Sequence, residues 1–220
     1  MKNLQSVPLF ENLNQDELDK ILHYSSTRSY KKNSVVINEG DDTDSLYIID
    51  SGSVKVYLSD NNGKEVIINT LEAGDYFGEL SVLTKGKRSA SVITTSNSSF
   101  TVIYKCDFKE LILGHPDIAY TLIKNLASRV RNLTENVKSL ALEDVYGRVV
   151  KTLMHLSEPA SSTKPEKRII KKRLTQQEIA NRVGSSREMV ARILKDLTVG
   201  EYICQENKQI LINKKLPEHY

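Results

Sequence analysis

Residues 175–197 have the sequence TQQEIANRVGSSREMVARILKDL. Thr175 and Glu178 have the spacing of a capping box, which predicts the start of a helix. Gly184 can provide a tight turn after that helix, and Ser186 can cap a second one. Two short helices joined by a glycine turn form a helix-turn-helix. The predicted helices are Gln176 to Arg182 and Arg187 to Leu197.

Three polar residues of the second predicted helix, Arg187, Glu188 and Arg192, lie outside its apolar face. An arginine can donate two hydrogen bonds to guanine O6 and N7, and a glutamate can accept one from cytosine N4. The helix is therefore suited to recognise G·C pairs in a major groove of double-stranded DNA. The alternative is a surface salt bridge between Glu188 and Arg192, which are one helical turn apart.

The charges are distributed unevenly along the chain, whose 31 basic and 28 acidic residues give a net charge of +3. Residues 1–144 hold 16 basic and 20 acidic residues, a net charge of −4. Residues 145–220 hold 15 basic and 8 acidic residues, a net charge of +7. This division favours a nucleic-acid surface confined to the C-terminal module, although a lysine-rich face that is only solvated has the same charge.

The composition is that of a globular protein of 220 residues, with 39% hydrophobic and 27% charged residues. No apolar run approaches the roughly 18 residues of a membrane span, and the N-terminus lacks the apolar segment of a signal peptide. We therefore expect a cytoplasmic protein that does not contact a membrane. Its two cysteines and four histidines show no metal-ligand spacing, so we expect no metal site, no catalytic residues and no enzymatic activity.

Short runs of β-branched and aromatic residues, separated by turn residues, occupy the chain from Ser34 to Tyr104. They predict an antiparallel, jelly-roll-like β-barrel, and hence an α+β fold overall. A strand at Arg168–Arg173 and a hairpin at Tyr202–Ile212 would make the C-terminal module a winged helix. The six predicted barrel strands are Ser34–Asn38, Ser45–Ile49, Ser53–Tyr57, Glu65–Ile68, Arg88–Thr94 and Phe100–Tyr104.

A helical period replaces the strand pattern from Asp117 to Leu140. Its apolar residues alternate steps of four and three, an a/d seam typical of a two-stranded dimer. The alternative is an amphipathic helix that packs on its own barrel. Ile118 and Leu122, which precede the seam, can make that contact with the barrel. Asp144 can cap a further helix, so we place a hinge from Leu140 to Asp144. The seam consists of Leu126, Val130, Leu133, Val137 and Leu140.

Residues 74–81, GDYFGELS, contain a second candidate site. Gly78 permits close approach of the backbone, and a helical turn beginning there points N–H groups at an anion. The Arg88 guanidinium and the Ser89 hydroxyl can grip a phosphate. Glu79 then either binds a ribose hydroxyl or forms a salt bridge with Arg88. The alternative is a surface turn with a charged pair.

These segments together resemble the CRP/FNR family of bacterial transcription regulators. The capped helix pair resembles the family's helix-turn-helix, and the resemblance covers nearly the whole chain in the family's order. It implies a cyclic-nucleotide-binding barrel at residues 1–116, a dimerisation helix and hinge at 117–143, and a winged helix-turn-helix domain at 144–220. The residues that resemble the barrel's motifs are Gly40-Asp41, Tyr47-Ile48, Gly52 to Val54, Gly74-Asp75, Phe77 to Leu80 and Arg88 to Ala90.

The resemblance also implies roles for individual residues. Glu79 would bind the ribose 2′-hydroxyl. Arg88 and Ser89 would both bind the cyclic phosphate. The implied nucleotide site comprises Ile68, Gly78, Glu79, Leu80, Ser81, Arg88, Ser89 and Thr134. The implied DNA contacts are Arg187, Glu188 and Arg192 on bases, and Thr175, Gln177 and Ser186 on phosphates.

The dimer helix differs from that of the family's cyclic-AMP-binding branch. In that branch, consecutive Thr and Ser residues of the helix contact the adenine. Those positions here are Leu133 and Thr134, so one adenine contact is missing. Membership in the family's iron–sulfur branch is excluded because the chain has no N-terminal cysteine cluster. Membership in its haem-binding branch is not excluded.

The sequence thus predicts a homodimeric regulator that binds a pseudo-palindromic DNA site and responds to a cyclic mononucleotide, with cyclic AMP (cAMP) the first choice of effector. One alternative is a regulator of the same family that needs no nucleotide or uses another effector. A second is a cyclic-nucleotide-binding regulatory subunit of an enzyme. The loop Ser157–Glu166 lies where related activators contact RNA polymerase, and a plain surface loop is the alternative there.

Overall fold

The computed structural model describes residues 4, 7–84, 86–160, 167–171, 174–206, 209–213 and 215–217. The chain divides into two compact units. Unit 1 comprises residues 1–58 and 67–131, and unit 2 comprises residues 59–66 and 132–220.

Within the described residues, eight strands form the N-terminal sheets, and all their assigned pairings are antiparallel. They are β1 (Ser26–Tyr30), β2 (Val35–Ile37), β3 (Ser45–Ser51), β4 (Ser53–Ser59), β5 (Glu65–Glu72), β6 (Tyr76–Phe77), β7 (Ser91–Thr94) and β8 (Ser98–Tyr104). One sheet has the order β1-β8-β3-β6 and the other β2-β7-β4-β5. The jelly-roll-like arrangement is confirmed, but the barrel is not closed, because no hydrogen-bonded ladder joins the two sheets among the described strands.

Strand β3 is buried along most of its length because it contributes to two hydrophobic clusters. Tyr47 and Ile49 belong to one cluster, where the ring of Tyr47 stacks on that of Phe77 with centroids 5.0 Å apart. Leu46 and Ile48 point the other way and belong to the second cluster. Alternate side chains of a strand point to opposite faces, which explains the unbroken apolar run in this strand.

Four α-helices begin in the described part of unit 1, and the last of them continues into unit 2. They are α1 (Gln15–Tyr24), α2 (Glu79–Leu83), α3 (Lys105–Gly114) and α4 (Pro116–Leu142), with a short 3-10 turn at Pro8–Phe10. Ile118 and Leu122 are buried in the core of unit 1, which confirms that the first turns of α4 dock on their own domain. The later turns leave Val130 63% and Val137 64% exposed.

Unit 2 contains the helix-turn-helix and its sheet. Its further elements are α5 (Val145–Leu156), β9 (Glu158–Pro159), β10 (Arg168–Ile170), α6 (Gln176–Val183), α7 (Arg187–Val199), β11 (Ile203–Glu206) and β12 (Gln209–Ile212). The sheet has the order β11-β12-β10-β9. Leu153, Ile179, Val190 and Ile203 pack in one core that joins the helices to the sheet, so the winged-helix prediction is confirmed.

Several predicted bounds were wrong. The strand expected at Arg88 begins at Ser91, so Arg88 lies in the connection that precedes β7. The sequence pattern missed β1, whose residues STRSY are mostly polar, and β6, which has only two residues. The predicted strand residues Lys172 and Arg173 and the loop residues 161–166 lie outside the described residues. No helix in the described part of the chain is both long enough and apolar enough to cross a membrane.

Candidate functional site

The turn between β6 and α2 is built around Gly78, which has a φ of +84°. A Cβ atom at this position would lie 2.5 Å from Arg88 Nη1 and 2.8 Å from the carbonyl oxygen of Ser45. Any side chain would therefore displace the guanidinium or the backbone of β3. Gly78 therefore permits the close approach of the Arg88 guanidinium to this turn, whereas the approach of an anion stays a prediction.

Arg88 is only 4% exposed, and its guanidinium donates hydrogen bonds to neutral oxygen atoms. No described carboxylate forms an ion pair with it. Burial lowers the pKa of Arg88 from its ordinary value, because desolvation disfavours the charged form. Nε of Arg88 donates to Thr43 Oγ1 at 2.8 Å. Nη1 donates to Gly78 O at 2.9 Å and to Ser81 Oγ at 2.7 Å. Nη2 donates to Ser45 O at 2.8 Å and to Ser45 Oγ at 3.2 Å.

Glu79 does not form the salt bridge with Arg88 that the sequence left open. Its Oε1 instead accepts a hydrogen bond from Arg129 Nη1 at 2.7 Å, and the Glu79 side chain is only 6% exposed. Arg129 also donates to the carbonyl oxygen of Tyr76 at 2.8 Å, and its Cζ atom lies 4.8 Å from the centroid of the Tyr76 ring. Arg129 was missed because it is 50 residues from Glu79, and only its position on one side of the seam of α4 could have drawn attention to it.

The other predicted nucleotide residues lie in more open positions. Ile68 is half-buried on β5, and Leu80 and Ser89 are exposed. Thr134 is exposed on α4. The structure thus brings Gly78, Ser81 and Arg88 into direct contact, whereas contact with a nucleotide stays a prediction for every member of the set.

The three residues predicted to contact bases are exposed on α7, which confirms that they lie outside its packed face. Glu188 and Arg192, both described, form no ion pair with each other. The only side-chain hydrogen bond of Arg192 within the described residues goes to Met189 Sδ, at 2.9 Å. The salt-bridge alternative for Glu188 and Arg192 is therefore wrong, and their charges face solvent.

The residues predicted to contact DNA phosphates are exposed, and two of them, Thr175 and Ser186, cap helices. Thr175 Oγ1 accepts from the N–H of Glu178, which confirms the capping box. Ser186 Oγ accepts from the N–H of Met189 in the same way at the start of α7. Gln177 donates to an asparagine one turn further along α6. Gly184 joins the helices with a φ of +64°, as predicted.

The predicted hinge, Leu140–Asp144, contains a short break between α4 and α5 at residues 143–144, while Leu140 itself lies within α4. Asp144 Oδ1 accepts from the N–H of Gly147 at 2.7 Å, which confirms the cap. The preceding residue, Glu143, accepts from Ser139 Oγ at 2.7 Å and from Lys151 Nζ at 2.9 Å. These two hydrogen bonds, that of Ser139 first, lower the pKa of Glu143. The break is therefore bridged by a polar cluster.

Comparisons with known proteins give this geometry a context. The family model of the cyclic nucleotide-binding domain matches residues 27–115, and that of the Crp-like helix-turn-helix domain matches residues 147–215. The cAMP-activated global transcriptional regulator Vfr of Pseudomonas aeruginosa is 40% identical over 82% of this chain and 86% of its own length. The chain belongs to the CRP/FNR family. The cAMP-activated global transcriptional regulator CRP of Haemophilus influenzae is 38% identical over 89% of this chain and 87% of its own length.

Solved structures of CRP/FNR regulators have the same fold. The c-di-GMP responsive global regulator CLP of Xanthomonas campestris is 27% identical, with a TM-score of 0.79 over 90% of this chain and 99% of its own. The catabolite activator protein of Thermus thermophilus is 28% identical, with a TM-score of 0.56 over 94% and 93%.

Membership in the CRP/FNR family assigns a class of function to each unit. The cluster around Arg88 lies within the cyclic nucleotide-binding domain, and helices α6 and α7 lie within the helix-turn-helix domain. The chain is therefore a cyclic-nucleotide-responsive DNA-binding transcription regulator and not an enzyme.

Proposed function

We propose that the chain is a homodimeric transcription regulator that acts in the cytoplasm and uses cAMP as its allosteric effector. The observation that carries this proposal is the buried Arg88 guanidinium, which has no carboxylate partner among the described residues. A buried cation without a counter-ion favours a site that receives an anion, and a cyclic phosphate is such an anion. The names of the relatives Vfr and CRP support cAMP as the effector.

The proposed ligand contacts follow from the positions of the side chains. Arg88 would pair with the cyclic phosphate, and the exposed hydroxyl of Ser89 would donate to the same group. Glu79 would bind the ribose 2′-hydroxyl while Arg129 orients its carboxylate. The remaining proposed contacts are Ile68 and Thr134 on the purine and Gly78, Leu80 and Ser81 in the phosphate turn.

A second copy of the chain is proposed to cover the exposed face of α4. Four residues of the seam are between 44% and 64% exposed, which is unusual for apolar side chains at heptad spacing. They are Val130, Leu133, Val137 and Leu140. We assign residues 1–116 to the nucleotide-binding domain, 117–143 to the dimerisation helix and hinge, and 144–220 to the DNA-binding domain.

The proposed dimer would place two copies of α7 in successive major grooves, about 34 Å apart, on a pseudo-palindromic site. Arg187, Glu188 and Arg192 would contact bases, and Thr175, Gln177 and Ser186 would contact phosphates. Nucleotide binding would act through the hinge at Leu140–Asp144. A shift of the DNA-competent state from 1:99 to 99:1 requires roughly 5.5 kcal/mol of differential nucleotide affinity. RNA polymerase is the further partner proposed on the basis of family likeness.

A second candidate is a regulator of the same family that responds to another effector or to none. Two observations favour it: all the N–H groups of Arg88 already have acceptors, and Leu133 offers no polar atom to a purine. The similar CLP of Xanthomonas campestris is c-di-GMP responsive, which identifies a specific alternative nucleotide.

The test is DNA binding by the full chain, measured by fluorescence anisotropy on a palindromic G·C-containing duplex and on random DNA at one stated salt concentration. Cyclic AMP, cyclic GMP and cyclic di-GMP are titrated separately. We expect cAMP to raise the affinity for the palindrome at least tenfold, while the affinity for random DNA changes little. Specific binding that is unchanged by cAMP would overturn the cAMP proposal in favour of the second candidate.

A further inference from the structure

The guanidinium of Arg88 is saturated without any ligand. An arginine side chain has five N–H groups, and the structure provides five acceptor contacts for them. Three of the acceptors are hydroxyls, those of Thr43, Ser45 and Ser81, and two are backbone carbonyls. A phosphate can therefore bind Arg88 only if at least one of these internal hydrogen bonds is exchanged for it.

The five acceptors differ in how easily they can release the guanidinium. The carbonyls of Gly78 and Ser45 belong to the backbone of a tight turn and of a central strand, so they are fixed in position. Thr43 is exposed in the loop before β3, so water can replace Arg88 as its partner. Ser81 Oγ already donates to the carbonyl of Gly78 at 3.1 Å, a hydrogen bond that does not depend on Arg88. The hydroxyls of Thr43 and Ser81 can therefore exchange at a lower cost than the two carbonyls.

We propose that the hydroxyls of Thr43 and Ser81 compete with the phosphate of the ligand for Arg88, and so determine the affinity of the nucleotide site. A phosphate oxygen is a charged acceptor, and it binds a guanidinium more strongly than a neutral hydroxyl does. The exchange is thus favourable, but part of the binding free energy is used to break the internal hydrogen bond. This inference rests on the proposed function, and it changes the role of Ser81 from a ligand contact to a competitor of the ligand.

The test compares cAMP dissociation constants of the full chain with those of Ser81→Ala and Thr43→Val, measured by titration calorimetry. Each variant removes one internal acceptor, so we expect each to bind cAMP more tightly, by about 2- to 10-fold. Ser98→Ala is the matched control, because Ser98 is equally buried in the same domain but bonds to Ser53 and Ser96. Its affinity should equal that of the wild type.

A second measurement separates competition from positioning. If the hydrogen bond is lost on ligand binding, the substitution lowers the melting temperature of the free protein but not that of the cAMP-saturated protein. A positioning role would lower both melting temperatures and weaken binding. Equal or weaker binding in both variants, with a wild type that binds cAMP, would overturn this inference and leave the proposed function intact. A wild type that binds no cyclic nucleotide would overturn both.

Discussion

Arg88 and Arg187 have the same side chain but opposite environments. Arg88 is 4% exposed and all the N–H groups of its guanidinium have protein acceptors. The side chain of Arg187, in contrast, is exposed and has no hydrogen-bond or ion-pair partner among the described residues. An arginine that binds a large, charged surface can remain exposed to solvent in the unbound protein. An arginine that is to select one small anion is held in place by the protein, which therefore competes with the anion.

The largest expected difference between the two arginines is in stability. Arg88→Ala removes the donor to several buried acceptors and leaves some of them without partners, so we expect a loss of about 2 to 4 kcal/mol in the free energy of unfolding. Arg187→Ala removes no side-chain hydrogen bond or ion pair within the described residues, and we expect a change below about 0.5 kcal/mol. Urea unfolding followed by circular dichroism measures both variants. Similar losses at the two positions would show that burial does not distinguish them.

The same comparison can be made for two glycines with positive φ, Gly78 in the first unit and Gly184 in the second. In Gly184→Ala the new Cβ meets only the flexible end of Leu140, at 3.2 Å, so we expect the left-handed backbone to cost about 1 to 2 kcal/mol. In Gly78→Ala it also meets Arg88 and the backbone of Ser45, so the loss of stability should be larger.

The two glycine variants should also differ in ligand binding. Gly78→Ala displaces the guanidinium and should abolish cAMP binding in titration calorimetry, whereas Gly184→Ala should bind cAMP as the wild type does. Retained cAMP binding in Gly78→Ala would contradict the assignment of the phosphate turn.

The two units also differed in how much of them could be predicted from the sequence. The helix-turn-helix depends on local signals: the cap at Thr175, the turn at Gly184 and the cap at Ser186 each act within four residues. The cluster around Arg88 depends on Thr43 and Ser45, which are 45 and 43 residues away along the chain. No local pattern encodes such a contact, so Gly78, Ser81 and Arg88 could be predicted from the sequence, but Thr43, Ser45 and the hydrogen bonds of the cluster could not.

The third and smallest comparison uses two ion pairs. Glu79 is 6% exposed and pairs with Arg129, whereas Glu143 is 33% exposed and pairs with Lys151. Glu79→Gln keeps the shape but loses a charge-assisted hydrogen bond, and we expect a loss of about 1.5 kcal/mol or more in the free energy of unfolding at pH 7. Glu143→Gln should cost about 0.2 to 1 kcal/mol, because an exposed pair is screened by water and salt.

The effect of Glu143→Gln on the free energy of unfolding should depend on pH, and this dependence tests the exposed pair more sharply than the magnitude of the effect at pH 7. The pKa of Glu143 is lowered in the folded state, first by the hydrogen bond from Ser139 and then by that from Lys151. A carboxyl with a lowered folded pKa contributes stability above its unfolded pKa, and this contribution is lost as the pH falls through the folded value. The difference in unfolding free energy between wild type and Glu143→Gln should therefore be constant near pH 7 and decrease below about pH 4.3, the ordinary value for a glutamate. A difference that persisted at low pH would mean that Glu143 stabilises the hinge through its shape rather than its charge.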